Sequence, residues 1–342
     1  MEFQLPISFP SLPQPIRYGE KILLTGSCFT EHIGEALSDW KFSTLLNPNG
    51  ILFDAASVAS SLISYIGPKR YMAEDLVFFN ELWQSWQHHS HFSGTNKAAV
   101  LEGINASQER AHAFLREANW LIITLGSAFS YRLASAPGST QGSAPGSTGG
   151  AGELGAVANC HRAPGQYFVK HLLTIEEIVT ALDSCLHQLF YFNPGLRVIF
   201  TVSPVRHSRD GVVENNRSKA RLIESVHHLV NKFDRLFYFP AYELVIDVLR
   251  DYRFFDIDMV HPNYAATQFV LEKFTEYGID ASSRALLEEV KKLVVARRHR
   301  PLHPDTAAHA RFLREQGEKA MGLAAKYPFL DLSEEIRHFS LF

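Results

Sequence analysis

The sequence predicts an α/β fold built on a doubly wound parallel sheet. Two observations carry that expectation. Short runs rich in Ile, Leu, Val and Phe recur along the chain, and helical patterns sit between most of them. Apolar runs of this length, without alternation, suit strands covered on both faces. In addition, Gly26-Ser27, Gly126-Ser127 and Ser203-Pro204 each follow such a run, at the carboxyl ends of strands where ligands of open α/β sheets bind.

Taken in order, the strand candidates are Lys21–Thr25, Phe42–Leu46, Trp120–Leu125, Arg197–Ser203 and Arg235–Phe239. Between the first two, Phe29, Ile33, Leu37 and Trp40 follow the spacing of one helix face. Thr174-Ile175-Glu176-Glu177 is a capping box, because the second Glu can reach back to the Thr amide; it opens a helix through Tyr191. Ser218–Phe233 and Tyr264–Tyr277 are further helices. An insertion from about Ile66 to Gly94 carries Trp83, Trp86 and a His-rich run, and reads as a hairpin or lid. A second insertion, 134–152, is low-complexity Gly/Ser/Pro sequence of the kind that forms flexible linkers. Beyond it, residues 285–342 turn to Lys-, Arg- and Ala-rich helix, so residues 1–284 are expected as one domain with a helical C-terminal extension.

Composition narrows the function classes. The 342 residues are 46% hydrophobic and 20% charged, ordinary for a globular chain. A net charge of −3 lacks the basic excess of a nucleic-acid or anionic-membrane binder. The 3 cysteines, Cys28, Cys160 and Cys185, form no CxxC pair and fit a reducing compartment. The proline-interrupted N-terminus does not read as a signal peptide, and no apolar run is long enough to span a bilayer. The expected location is cytoplasmic, with no cofactor, no nucleic-acid partner and no membrane partner; oligomeric state is not legible.

Ser27 is the first candidate for chemistry. At a strand-to-helix turn its hydroxyl faces out of the sheet, where helix N–H groups favour negative charge. The competing reading is a helix cap, a common role for serine. Nucleophilic attack needs a base, and Asp258 with His261 offers one, since a carboxylate can fix the imidazole tautomer. Asp256 is a competing carboxylate, and either residue of the pair could instead cap the helix that follows. Cys28 reads as a buried filler or, alternatively, as a thiolate nucleophile. With 16 histidines, clusters such as His88, His89 and His91 arise without a metal, and no compact ligand motif is present. His89, Ser90, His161, Arg206 and His207 read instead as a polar pocket mouth; for Arg206 a structural salt bridge is the alternative. Trp83 and Trp86 could stack on a sugar ring or simply anchor their insertion.

The segments LTGSCFTEHIG, NPNGILFD, ITLGSAFSYR, VANCHRAPGQYF, TVSPVRHSRDG and YRFFDIDMVHPN resemble, in order, the motifs of the GSCFA family. That family is grouped with the SGNH/GDSL hydrolases, and the resemblance spans roughly residues 20 to 280. Thr30 stands where the family's name has Ala. The resemblance implies an SGNH-hydrolase-like three-layer fold with a five-stranded parallel sheet in flavodoxin-like order. By position it makes Ser27 the nucleophile, Asp258 and His261 its partners, and the Ser27 and Gly50 N–H groups oxyanion donors. The third SGNH donor, an asparagine, is missing, because Gly126-Ser127-Ala128 stands where Gly-x-Asn is expected. Loss of one such donor typically costs on the order of 100- to 1,000-fold in rate. Ser127, Asn49 and Asn159 are the candidate substitutes, with Ser127 or Asn159 preferred.

The resulting expectation is a serine esterase acting on an O-acylated carbohydrate or another small acyl ester. Transfer of the acyl group to a glycan, or a binding protein that has lost activity, are the alternatives. Nucleotide binding fares worse, since TGSCFTEHIG is neither GxGxxG nor a P-loop.

Overall fold

The computed structural model describes residues 5–134 and 156–340. The Gly/Ser/Pro insertion therefore lies outside the described residues, apart from Ala134. The central sheet is five-stranded: β1 (Lys21–Gly26), β2 (Ser43–Leu46), β3 (Trp120–Leu125), β4 (Arg197–Val202) and β5 (Leu236–Tyr238). The spatial order is β2-β1-β3-β4-β5 and every pairing is parallel, the flavodoxin-like arrangement expected.

Both faces of this sheet are covered, which explains why the strands are apolar at consecutive positions. Along β3, Leu121, Ile123 and Leu125 enter one core while Trp120 and Ile122 enter the other. The first core is closed by helices α2 (Ala55–Ile66), α3 (Lys97–Glu117), α4 (Ile175–Phe192) and α5 (Gly211–Val230). The opposite core is closed by α1 (Cys28–Asp39), the turns at 241–249 and α6 (Tyr264–Gly278). The capping box at Thr174 forms as expected, with Thr174 Oγ1 accepting from the Glu177 N–H at 3.1 Å.

Helix α5 starts seven residues before the expected Ser218, at Gly211. Its first turns carry Glu214, Asn216 and Arg217, with Val212 and Val213 largely exposed, so no apolar periodicity marks them. The first insertion contains a short antiparallel hairpin, Val77–Phe79 with Leu82–Gln84. Trp86 is buried against Val77 and Val157, and Trp83 packs beside Tyr71 and Ile104, so both tryptophans anchor the insertion.

The C-terminal helices α7 (Ala281–Arg298), α8 (Ala307–Lys326) and α9 (Ser333–Ser340) share their own core of Leu286, Val290, Leu293, Leu313, Ala320 and Phe339. Helix α7 also contributes Leu287 to the core under the sheet. Glu335 on α9 is fully buried and meets Lys41 at 3.0 Å and Arg297 at 3.3 Å. Lys41 lies between α1 and β2, so this ion pair fastens the last helix to the sheet unit.

Removing one partner of a buried ion pair strands the other charges, at a cost of about 3 kcal/mol. Because Glu334 also meets Lys41 at 3.4 Å and Arg297 at 2.6 Å, the cations are stranded only in Glu334→Ala/Glu335→Ala, which is expected to lower unfolding free energy by about that amount in urea denaturation. A change under about 0.5 kcal/mol, the scale of an ordinary surface substitution, would show that the pair does not hold the extension.

Candidate active site

Strand β1 ends against β3 so closely that a Cβ at position 26 would collide with the Thr124 carbonyl oxygen. Gly26 lies at φ +139°, a conformation that leaves only glycine at ease. The chain then continues the parallel ladder by one residue, and the Ser27 N–H donates to the Thr124 carbonyl at 3.0 Å. Ser27 occupies the N-cap position of α1 but makes no side-chain cap bond. Its Oγ is buried and has no hydrogen-bond partner among the described residues. Capping therefore does not account for this serine.

Ser27 lies in a cleft of about 760 Å³ at the carboxyl ends of the strands, large enough for a small ligand. Gly126, Ser127, Asn159, His161, Ser203 and Arg206 also line it, so the strand-end segments do converge. Asp54 forms part of the same wall. It caps α2 by accepting from Ala56 and Ser57, and burial raises its carboxyl above the usual range.

The Asp258–His261 pair is formed. Asp258 Oδ2 meets His261 Nδ1 at 2.6 Å, and its Oδ1 accepts the N–H groups of Val260 and His261 at 2.9 and 3.0 Å. The His261 hydrogen bond, followed by these N–H groups, holds the Asp258 carboxyl down to about 2. The bond fixes the Nδ1 proton toward the carboxylate and leaves Nε2 free to accept one. Asp256 is bound differently, through its main chain to His261 and Met259, so Asp258 is the partner. Both side chains of the pair are about half exposed, at 46% and 45%. They are not among the cleft-lining residues, and no bond joins His261 to Ser27.

Arg206 connects the two halves. Its N–H and Nη1 donate to the Val260 and Met259 carbonyls at 3.1 and 2.9 Å, and its guanidinium lies 4.0 Å from the Phe255 ring centre. Arg206 lines the cleft as expected, and the alternative salt bridge is absent among the described residues; Arg206 hangs the Asp258–His261 loop from the cleft wall.

The expected oxyanion donors need correction. The Ser27 N–H is taken by Thr124, and the Gly50 N–H by the Asn47 carbonyl at 2.7 Å. Asn49 is likewise spent, its Oδ1 accepting from Tyr65 and Gln108, each at 3.0 Å, deep in the core. Ser127 Oγ accepts from the Phe129 N–H and faces Ser218 at 3.4 Å. Asn159 differs. Its Oδ1 accepts the His161 N–H at 2.8 Å, which orients the amide and leaves Nδ2 without a partner among the described residues. Asn159 is therefore the cleft residue with a side-chain amide donor to spare.

The remaining candidates divide. His161 lines the cleft with Nε2 on the Ser85 carbonyl at 2.8 Å, and burial lowers its basicity. His89 packs against Gly50, away from the cleft lining. Cys28 is half-buried and lines the cleft, where a filler facing the sheet was expected. Its thiol is raised, chiefly by burial, which opposes a thiolate role.

Lys219 escaped the sequence reading. It is fully buried on α5, and its Nζ donates to the Gly126 and Ser203 carbonyls, both at 2.6 Å. No carboxylate pairs with it among the described residues. The signal was a lysine on the apolar stripe of α5, beside Ser218 and in line with Leu222 and Val226. A cation at this depth favours negative charge at the cleft floor.

Comparison with known proteins places these residues in context. The profile of the GSCFA family matches residues 21–274, and that of the GSCFA domain protein, C-terminal domain, matches residues 290–341. Among solved structures, a carbohydrate esterase family 3 protein from Talaromyces cellulolyticus matches 80% of this chain and 99% of its own, at 9% identity and TM-score 0.35. The acetyl xylan esterase Est2A from Butyrivibrio proteoclasticus matches 77% and 64%, at 10% identity and TM-score 0.34. No functionally curated protein matches.

Burial lowers Lys219 from 10.5 to about 7. In the window between those values the unfolded chain holds a proton that the folded one has released, so stability rises with pH there. The stability difference, wild type minus Lys219→Met, followed by thermal unfolding, is expected to rise with pH across that window. Parallel curves would mean that the lysine is not buried as a lone cation.

Proposed function

The chain belongs to the GSCFA family, and on that premise we propose that it is a serine esterase working through an acyl-serine intermediate. The observation that carries the reading is the Ser27 hydroxyl, buried and uncapped at a strand end, with a formed Asp258–His261 pair on a loop hung from the same cleft wall. No structural duty accounts for both features together.

In this reading Ser27 Oγ attacks the ester carbonyl while its proton passes to His261 Nε2. The Asp258 carboxylate stabilises the imidazolium so formed. Negative charge gathers on the former carbonyl oxygen, where Asn159 Nδ2 donates and the Lys219 charge favours it. Collapse breaks the bond to the alcohol oxygen, and His261 returns the proton to that leaving group. Water, deprotonated by the same histidine, then cleaves the acyl-serine and restores the hydroxyl. The Ser27–His261 bond forms in the substrate complex, as catalytic hydrogen bonds often tighten only then. The substrate class we propose is an O-acylated carbohydrate or another small acyl ester, in keeping with a lining that sets aromatic rings such as Phe129, Tyr131 and Phe168 beside polar side chains. A glycan hydroxyl in place of water would make the same chemistry an acyl transfer.

A binding module without catalysis is the second reading, favoured by one observation: the Ser27, Gly50, Gly126 and Ser127 N–H groups all donate to main-chain carbonyls. The role given to Asn159 answers it.

Hydrolysis of p-nitrophenyl acetate separates the two. Wild type is expected to turn over, with Ser27→Ala and His261→Ala at background. Asn159→Ala is expected to lose on the order of 100- to 1,000-fold in kcat with little change in KM. Turnover that survives in Ser27→Ala, or its absence from wild type, would sink the esterase reading. A full-rate Asn159→Ala would remove only the donor assignment.

A further inference from the structure

The cleft that holds Ser27 has a cationic group of lining residues, and two of them, both exposed, have no partner among the described residues. Lys170 pairs with Asp210, which also takes His207 at 2.6 Å. Arg206 is committed to the Asp258–His261 loop. Arg162 and Arg209 line the same cleft and have neither an ion pair nor a hydrogen bond from their guanidinium groups among the described residues. His161 does not add to this charge, because burial keeps it neutral.

Arg162 is held there at a cost. His161 and Arg162 are consecutive residues in the left-handed region, at φ 48° and 59°, where side chains other than glycine lose roughly 1 kcal/mol or more each. The turn is enforced from several sides. The Ala163 N–H donates to the Cys160 carbonyl at 2.8 Å, Asn159 accepts the His161 N–H, and the His161 ring is bonded to Ser85. Arg209 comes close to the same turn. Burial pushes the Cys160 thiol up to about 11, and the Arg209 charge pulls it the other way across that distance. Two exposed guanidinium groups, without a counter-charge among the described residues, thus line one cleft, and their like charge favours an anion there.

We infer that Arg162 and Arg209 form an anion subsite beside Ser27, and that the acyl ester this cleft takes bears an anionic oxygen group, a carboxylate or a phosphate. The inference rests on the esterase reading for the word ester and on the arginines alone for the anion. Guanidinium is the group suited to either acceptor, through paired N–H donors.

The test compares three acetyl esters of matched shape: 4-acetoxybenzoate, 4-acetoxyphenyl phosphate and the neutral 4-acetoxybenzamide, followed by acetate release. At low salt the wild type is expected to show kcat/KM for at least one anionic ester about 10-fold above the amide, carried by KM. The larger of the two anionic preferences identifies the group. In Arg162→Gln/Arg209→Gln that ratio is expected to fall to about 1, and about 0.5 M salt is expected to shrink it in the wild type. Titration calorimetry of Ser27→Ala with the same compounds reads the subsite without turnover. Anion preference there, lost when both arginines are also changed, would uphold the subsite even if no ester were cleaved. A wild-type ratio near 1 with no anion preference in calorimetry would overturn it, as would a ratio that the double substitution leaves intact.

Discussion

The N–H of Ser27 bonded to the Thr124 carbonyl is the constraint on which the candidate site depends. It extends the parallel pairing of β1 and β3 one residue past Gly26, which must be glycine because the backbones approach too closely for any Cβ. It fixes Ser27 at the head of α1, where its buried hydroxyl makes no cap bond and the residue lines the cleft. The same bond removes that N–H from the pool of oxyanion donors, as the Asn47 carbonyl does for Gly50. In the proposed mechanism the stabilising of negative charge falls to side chains, to Asn159 in the cleft lining and to Lys219 beneath the Gly126 and Ser203 carbonyls.

Charge is distributed across the cleft by burial as much as by residue type. Desolvation raises the Asp54 carboxyl above its usual range and lowers the basicity of His161, so burial works against the charged form of both. Lys219, buried between two carbonyls, sits near its own titration point. The exposed Asp258 carries a negative charge that does not waver, because the imidazole and two main-chain N–H groups all favour the ionised form. What remains uncompensated among the described residues is positive: the two guanidinium groups of Arg162 and Arg209 in the same cleft.

The sheet was legible because its three central strands are buried on both faces, so Trp120–Leu125 shows as a nearly unbroken apolar run whose ends fall where the strand does. The pair Asp258–His261 was legible because a three-residue spacing on a tight turn is enough to join them. Long-range placement was not. Nothing in Asn47-Pro48-Asn49-Gly50 tells that Asn49 faces Tyr65 and Gln108 in the core, or that a neighbouring carbonyl claims the Gly50 N–H. Ser127 and Asn159 read as equivalents until the local bond to His161 separated them. Lys219 was hidden for another reason: a lysine on a helix is read as a solvated residue, and only its position on the apolar stripe marks it as buried.

The central claim is that Ser27, and not the adjacent Cys28, is the nucleophile. It is tested most directly by treating the full-length chain with a fluorophosphonate and locating the adduct by peptide mass spectrometry. The account predicts a single stoichiometric adduct on the Ser27 hydroxyl, with the Cys28 thiol of the same peptide unmodified. An adduct on another residue, or an unreacted serine in protein that hydrolyses esters, would contradict it.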